Sequence, residues 1–389
     1  MTEKKSFADP LTGRTVHQFT TNGHNASPYF NSHAWTPDSE YFFFLRIDGD
    51  GEWLMACEYE SGKLVKLAGP FPPEPHDDRI LWPTLNSIPG SHSATFVQGD
   101  VLWRTNLDTG KSEQLTRLPG PTGGDTDVSY DGKWHILPIF HRSEEAVEEL
   151  RKVGWNVDPV MDKYEFTSEI VRVDLTNGKI EFLWDETGAM VDHISINPKD
   201  PDLIMFCHEG DKASKFGRIH LRRIGEKGSR SLRDQRTGKV TVTHERWFQD
   251  GRRIAYHGNY LIDEKTRRQY VGIFDLERDL PMEYTFSDPR QIAWHSSPSP
   301  DGKVLVMDLR DGSVPFASLP ASMRGIFILK PNLGTGLCDI EQLSSICSED
   351  IRLPLQQWRE NDPIWSPDGK KVLFRAARGD SVQVYAVEL

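Results

Sequence analysis

One phrase recurs along this 389-residue chain: a polar residue, a short apolar stretch, a Pro-Asp-Gly-like turn, and a strand rich in Val, Ile, Leu, Phe and Tyr. The clearest copies are HSSPSPDGKVLVM from His295 and DPIWSPDGKKVLF from Asp362. Looser ones are HERWFQDGRRIAY from His244, DTDVSYDGKWHIL from Asp125 and HISINPKDPDLIMF from His193. SHAWTPDSEYFFF from Ser32 and TLNSIPGSHSATF from Thr84 complete a set of seven. Each copy reads as an inner strand, a tight turn and a second strand. A second hairpin follows several of them, as in NLDTGKSEQLT (Asn106 to Thr116) and DLTNGKIEFLW (Asp174 to Trp184). Two hairpins per unit make a four-stranded antiparallel blade, so the pattern predicts an all-β, seven-bladed β-propeller.

The two ends favour ring closure. DPLTGRTVHQFT (Asp9 to Thr20) looks like half of a hairpin with nothing upstream to pair with, and VQVYAVEL (Val382 to Leu389) ends on a lone strand. The N-terminal strand is therefore expected to complete the last blade, giving one domain over residues 1–389. An eight-bladed or two-domain arrangement would leave both ends unpaired. Spacing between copies runs from 41 to 68 residues, which implies insertions near 141–167 and 310–324. SEEAVEELRKV (Ser143 to Val153) reads as a Ser-capped helix with Ala146, Val147 and Leu150 on its apolar side.

Hydrophobic residues at 37% and charged residues at 27% describe a soluble globular chain, and no apolar run approaches the roughly 20 residues that span a bilayer. Met1 to Pro10 carries two lysines and no apolar core, so no signal peptide is read. Cys57, Cys207, Cys338 and Cys347 lack metal-ribbon spacing and read as reduced thiols of a cytoplasmic protein. A net charge of −12 argues against nucleic acid or an anionic membrane as partner.

The repeat also selects candidate site residues. The position six before the turn Asp, or its equivalent, is Ser32, Thr84, Asp125, His193, His244, His295 and Asp362. Inner strands of a propeller line its axis, so these seven would form a ring, and five consecutive members are Asp or His. Three histidines flanked by carboxylates suit a divalent cation such as Mn²⁺, Fe²⁺ or Zn²⁺, and equally suit acid-base catalysis. The bland reading is that such residues cap turns or bond within a core. HExxH, Walker, GxSxG and GxGxxG motifs are absent. His208-Glu209-Gly210 follows an apolar strand, and Arg218 lies ten residues beyond His208.

Several of these stretches resemble the oligogalacturonate lyase family, seven-bladed propellers of the cytoplasm that act on short pectin fragments. The similarity is carried by DPLTGRTVHQFT, by FCHEG (Phe206 to Gly210) with Arg218, by THERWFQDG (Thr243 to Gly251) and by WHSSPSPDG (Trp294 to Gly302). PDG turns are shared with many other propellers. By this resemblance His244 stands at the catalytic base and Arg218 beside the substrate, while His295 and Gln357 stand at metal-binding positions. The family binds Mn²⁺ with further histidines of a His-Pro-His motif; this chain has Glu360-Asn361-Asp362 there. Carboxylates harden a site, so Mn²⁺ is expected, with Ca²⁺ or Mg²⁺ as alternatives. His193 is a further ligand or a proton donor on this reading.

The implied reaction is metal-assisted β-elimination on short uronic-acid oligosaccharides. Its metal set is His295, Gln357, Asp362 and Glu360, and its substrate-binding candidates are His193, His208, Asp125, Arg142 and Trp82. Trp82, Trp294, Trp358 and Tyr29 either stack on sugars or pack between blades. Arg79, Arg142 and His141 are loop candidates for a second carboxylate. One rival is a lyase or epimerase acting on another uronide or oxidised sugar. The other is a non-catalytic, TolB-like interaction module in which the axial ring is a structural ion site or a polar plug, so that His244→Ala would lower stability with no activity to lose.

Overall fold

The computed structural model describes residues 2–72, 84–123, 125–153, 158–210, 217–263, 266–289, 291, 293–309, 320–349 and 360–389. Two strands open the chain, β1 (Lys5–Ala8) and β2 (Thr15–Gln18). The first meander is β3 (His24–Ala26), β4 (Tyr41–Asp48), β5 (Gly51–Glu58) and β6 (Leu64–Phe71). The second is β7 (Leu85–Ile88), β8 (Ser93–Gln98), β9 (Val101–Asn106) and β10 (Lys111–Arg117). The third is β11 (Asp127–Val128), β12 (Trp134–Arg142), β13 (Phe166–Asp174) and β14 (Ile180–Thr187). The fourth is β15 (Val191–Asn197), β16 (Asp200–His208), β17 (Ile219–Arg223) and β18 (Arg230–Ser231).

The fifth is β19 (Val240–Trp247), β20 (Arg253–Leu261), β21 (Arg267–Asp275) and β22 (Leu280–Phe286). The sixth is β23 (Ala293–Pro298), β24 (Leu305–Leu309), β25 (Gly325–Asn332) and β26 (Leu337–Ser344), joined to the fifth by a short parallel pairing of β22 with β26. The seventh is β27 (Ile364–Trp365), β28 (Lys371–Arg378) and β29 (Ser381–Glu388). Its fourth strand is β2, paired as Val16 with Val387 and Gln18 with Tyr385, and β1 adds a fifth at the edge.

The turns explain the repeated phrase. Ser299 donates to the Asp301 carboxylate at 2.8 Å, and the same oxygen accepts Lys303 N. Ser366 with Asp368, Ser129 with Asp131 and Thr36 with Asp38 repeat the arrangement at 2.6 Å. Gly302, Gly369 and Gly132 take φ of 67 to 70°, a left-handed conformation that costs glycine little.

Both faces of most strands are buried, which is why runs such as YFFFL read as continuous rather than alternating. Phe42 and Phe44 face the seventh meander, packing with Phe19, Leu373 and Ala386, while Phe43 and Leu45 face Leu85 and Phe96 of the second. Like clusters join the second meander to the third, the third to the fourth, and so on to the seventh. The cluster holding Phe19 joins the seventh to the first.

The N-terminal connection is pinned by Asp9. Its carboxylate accepts Leu11 N, Thr12 N and Ser345 N, together with the hydroxyls of Ser344 and Ser345. Between β12 and β13 lie two helices, α1 (Glu144–Val153) and α2 (Asp158–Lys163). Ser143 Oγ accepts Ala146 N at the start of α1, and Ala146 and Leu150 pack on Phe140, Met161 and Phe166. The insertion read at 310–324 lies outside the described residues except for a single 3-10 turn at Ala321–Met323. Among the described residues no helix is long and apolar enough to cross a membrane. The four cysteines are free and buried.

Candidate active site

Each of the three axial histidines is aimed by an irregularity in its strand. The β15–β16 ladder slips between Asp192 and Ser195, β19–β20 between Thr243 and Arg246, and β23–β24 between Ala293 and Ser296. A bulge of this kind re-aims side chains that a regular pleat would alternate. His193, His244 and Asp362 sit at φ of 49°, 52° and 44°, each costing about 1–3 kcal/mol and held only by its surroundings. Two carboxylates take up the freed backbone donors. Asp192 accepts His193 N and Asp125 N at 2.9 and 3.1 Å, and Asp308 accepts His295 N at 2.8 Å.

The three histidines lie in a row. The rings of His193 and His244 stack with centroids 5.7 Å apart, and those of His244 and His295 are 4.6 Å apart. A strap crosses them. Eight residues lie between Ala26 and Trp35 in the first meander, whereas two lie between their partners Leu45 and Phe42. The extra chain carries Tyr29 and Phe30, 2% and 0% exposed, which pack on one another. Phe30 touches all three histidine rings and Tyr29 touches His193 and His295.

Three groups form around this row. At one end, His193 Nε2 lies 3.0 Å from Asp125 and 3.6 Å from Glu209, and its Nδ1 lies 3.3 Å from Glu245. Arg218 donates from Nε to Glu245 at 3.0 Å and from Nη2 to Glu209 at 2.8 Å. In the middle, His244 Nδ1 lies 3.0 Å from the Trp294 carbonyl and 2.8 Å from His257 Nε2. At the other end, His295 faces Asp308 at 3.3 Å, Asp362 at 3.2 Å and Glu360 at 3.5 Å. Arg375 holds the second oxygen of Asp362.

These surroundings assign protonation. Burial works against the His193 imidazolium, but the charges of Asp125 and Glu245 outweigh it and lift its pKa to about 9. Burial pushes Asp125 up in turn; the proton between the two rests on His193, which Glu245 and Glu209 also face. His244 is driven the other way, first by burial and then by His295, His257 and His193, so it is neutral. The Trp294 carbonyl can only accept, and a lone pair on Nδ1 would face it at 3.0 Å, so Nδ1 carries the hydrogen and Nε2 is the basic nitrogen. Burial opposes charge on His295, yet Asp362 and Asp308 raise it, and burial lifts Asp362 to about 6.

One nitrogen of His295 and one oxygen each of Glu360 and Asp362 lie within 4.8 Å of one another. His295 Nε2 and Asp362 Oδ1 are buried with no hydrogen-bond partner. An imidazole with two carboxylates, partly balanced by Arg375, fits a hard divalent cation. His193, Cys207 and Glu245 also converge, but burial keeps the Cys207 thiol protonated and Arg218 already holds Glu245, so they do not fit one.

Of the residues singled out in the sequence, Asp125, His193, Arg218, His244, His295, Glu360 and Asp362 are brought together here. His193 lies in a separate group from His295 rather than completing its ligand set. His208 lies apart: its Nε2 is 2.9 Å from Glu186, its Nδ1 is 3.2 Å from Gly217 O, and its ring packs on His220. Arg142 stacks over Phe140 beside the helical insertion, and His141 pairs with Glu169. Trp82, Gln357, Arg79 and Trp358 fall outside the described residues. Trp294 meets the His244 ring edge-on. Glu209, Glu245, His257, Asp308 and Arg375 were not singled out. The signal for the last three is a lone polar residue inside an apolar strand: IAYHGNY, VLVMDL and KVLFRAAR.

The fold thus defines an all-β protein of successive four-stranded meanders with a histidine-carboxylate cluster where their first strands meet. Over its whole length it is similar to the crystal structure of an oligogalacturonate lyase from Vibrio parahaemolyticus, at 17% identity and a TM-score of 0.82, covering 97% of that chain. It is similar in the same way to an oligogalacturonate lyase in complex with manganese, at 18% identity, a TM-score of 0.79 and 96% of that chain. A hydrazine synthase from Kuenenia stuttgartiensis is a more distant likeness, with 13% identity and a TM-score of 0.53 over 94% of this chain and 97% of that one. No protein-family model matches the sequence, and no curated protein matches it.

Proposed function

We propose that this chain is a lyase of the oligogalacturonate type, cleaving short uronic-acid oligosaccharides by metal-assisted β-elimination. We read its seven meanders as the blades of a seven-bladed propeller closed by β2 on β29. The observation that carries the reading is a neutral, buried His244 whose Nδ1 hydrogen is committed to Trp294 O, next to an imidazole-dicarboxylate trio with unpartnered buried atoms. The whole-chain likeness to two such lyases, one of them in complex with manganese, supports it.

The chemical obstacle is the weak acidity of the hydrogen next to a uronate carboxylate. His295, Glu360 and Asp362 would hold the cation, Mn²⁺ on this reading, with Ca²⁺ or Mg²⁺ as alternatives. Such a cation supplies polarisation of the substrate carboxylate. His244 Nε2 takes the proton, the electrons of the broken C–H bond form the ring double bond, and the 4-linked oxygen leaves with its bonding pair and is protonated by the His193 imidazolium or by water. Asp308 orients His295 from behind, and Arg375 orients Asp362. Arg218 is engaged by Glu209 and Glu245, so its part is to hold those carboxylates around His193 beside the base. The strap and the buried rows keep water from the reacting atoms.

Digalacturonate incubated with the protein and Mn²⁺ is expected to yield an unsaturated product, followed by its ultraviolet absorbance. No absorbance change with any 4-linked uronide, with or without divalent cation, overturns the lyase reading.

A further inference from the structure

Arg375 is the largest side chain that the fold buries completely among the described residues. A fully buried guanidinium is expensive unless its donors are directed, and here each of its three nitrogens donates to a different piece of the site. Nε donates to the Glu360 carbonyl at 2.9 Å, Nη1 to the Ser27 carbonyl at 2.7 Å, and Nη2 to Asp362 Oδ2. Its backbone N donates to the Asn361 carbonyl, and its own carbonyl accepts from the Asn361 side chain. One residue therefore grips the whole 360–362 segment and the root of the strap. Because Oδ2 of Asp362 is held, Oδ1 is left as the single oxygen that faces His295.

The charge balance gives this grip a consequence. Asp308, Glu360 and Asp362 surround His295, and they repel one another when no cation lies among them. Arg375 is the positive charge holding that segment in place. A cation bound to Glu360 and Asp362 relieves the repulsion, fixes the segment, and so fixes the guanidinium that holds Ser27. Ser27 leads within three residues to Tyr29 and Phe30, which lie on the histidines. The far end of the strap is anchored independently, by His33 N on Asn86 and Ser32 Oγ on Thr126 O.

We propose that Arg375 is a positioning residue that sets the metal-binding carboxylates and couples cation binding to the placement of the Tyr29–Phe30 strap over the histidines. This rests on the metal reading of His295, Glu360 and Asp362. Coupling is reciprocal, so whatever loosens the strap also weakens the cation.

The test measures Mn²⁺ affinity by titration calorimetry, and amide hydrogen exchange of residues 27–33 with and without Mn²⁺, in the wild type and in Arg375→Lys. Mn²⁺ is expected to slow exchange across the strap of the wild type. Arg375→Lys keeps the charge but cannot bridge three acceptors, so its affinity is expected to fall about 10- to 100-fold with no Mn²⁺-dependent protection left. Unchanged strap exchange in the wild type overturns the coupling even if the variant does not fold. A folded Arg375→Lys that binds Mn²⁺ within about threefold of the wild type overturns the positioning role, whatever its melting temperature. Either result leaves the lyase reading standing, whereas a wild type that binds no divalent cation overturns the inference and the metal site together.

Discussion

Raising the pH of the metal-free protein from 6.5 to 9 withdraws the proton that His193 shares with Asp125, Glu209 and Glu245. In the folded state that imidazole titrates at about 9, against 6.5 for a free one. A raised pKa stabilises the fold fully below the unfolded value and stops doing so as pH climbs through the folded one. The interval corresponds to about 3 kcal/mol at full effect, most of it lost between pH 6.5 and 9. Urea unfolding at several pH values, with chelator present and ionic strength fixed, reads this directly. Glu245→Gln separates His193 from His295, whose pKa is also raised, because Glu245 faces only the former. The variant is expected to be less stable at pH 6.5 by roughly 3 kcal/mol, since it breaks a buried ion pair with Arg218, and to show a shallower decline toward pH 9. Parallel declines in the two proteins, or a His193 proton resonance titrating near 6.5, would refute the assignment.

His244→Gln, which fills much of the buried ring's space, is expected to lower the rate of unsaturated-product formation by about 100-fold or more, because an amide cannot act as the general base, while urea unfolding shows the variant still folded. Dialysis against a chelator is expected to abolish that activity, and Mn²⁺ to restore it better than Zn²⁺, since two of the three candidate ligands are carboxylates. Asp9→Ala is expected to cost about 1–2 kcal/mol in urea unfolding, because it removes the acceptor of part-buried donors on Leu11, Thr12 and Ser345 that hold this segment to the sixth meander. Backbone hydrogen bonds hold the Asp9 carboxyl below its usual range against the pull of burial. Its contribution is therefore present above the unfolded pKa and fades as pH falls through the folded one; a midpoint that rises on acidification would contradict this.

The repeat was legible because its turns are chemically specific. A Ser or Thr two residues before an Asp, followed by Gly, closes the same hydrogen bonds wherever it occurs. The pairing of β2 with β29 was legible because each end carried an unpartnered strand, whereas the addition of β1 was not: Lys5–Ala8 is exposed and shows no alternation. The strap was illegible for a different reason. SPYFNS reads as a connection, and only its anchorage by Arg375 and Asn86 carries it across the histidines. His208 was singled out because the HEG motif is distinctive, but its place is decided by Glu186 and His220, partners that only the folded sheets bring near. Arg375, Asp308 and His257 were passed over since each is one polar residue in a strand otherwise built for burial.

Those three omissions share a rule. His244 lies thirteen residues before His257, His295 thirteen before Asp308, and Asp362 thirteen before Arg375, and each pair is in contact. The first hairpin of these meanders brings residue i at the axial position against i+13 on the second strand. At these three positions the axial residue therefore does not titrate or ligate alone. Its partner on the second strand adds to the burial and the His295 charge that keep His244 neutral, joins Asp362 in raising His295, and leaves Asp362 one free oxygen. Where that partner is apolar, as at Phe206 behind His193, the charge has to come from neighbouring meanders, and Asp125 and Glu245 supply it. The turn phrase sets where the cluster lies, while its chemistry is written thirteen residues later. At Asp362 that paired position is Arg375, whose charge balances a carboxylate the fold would otherwise bury alone.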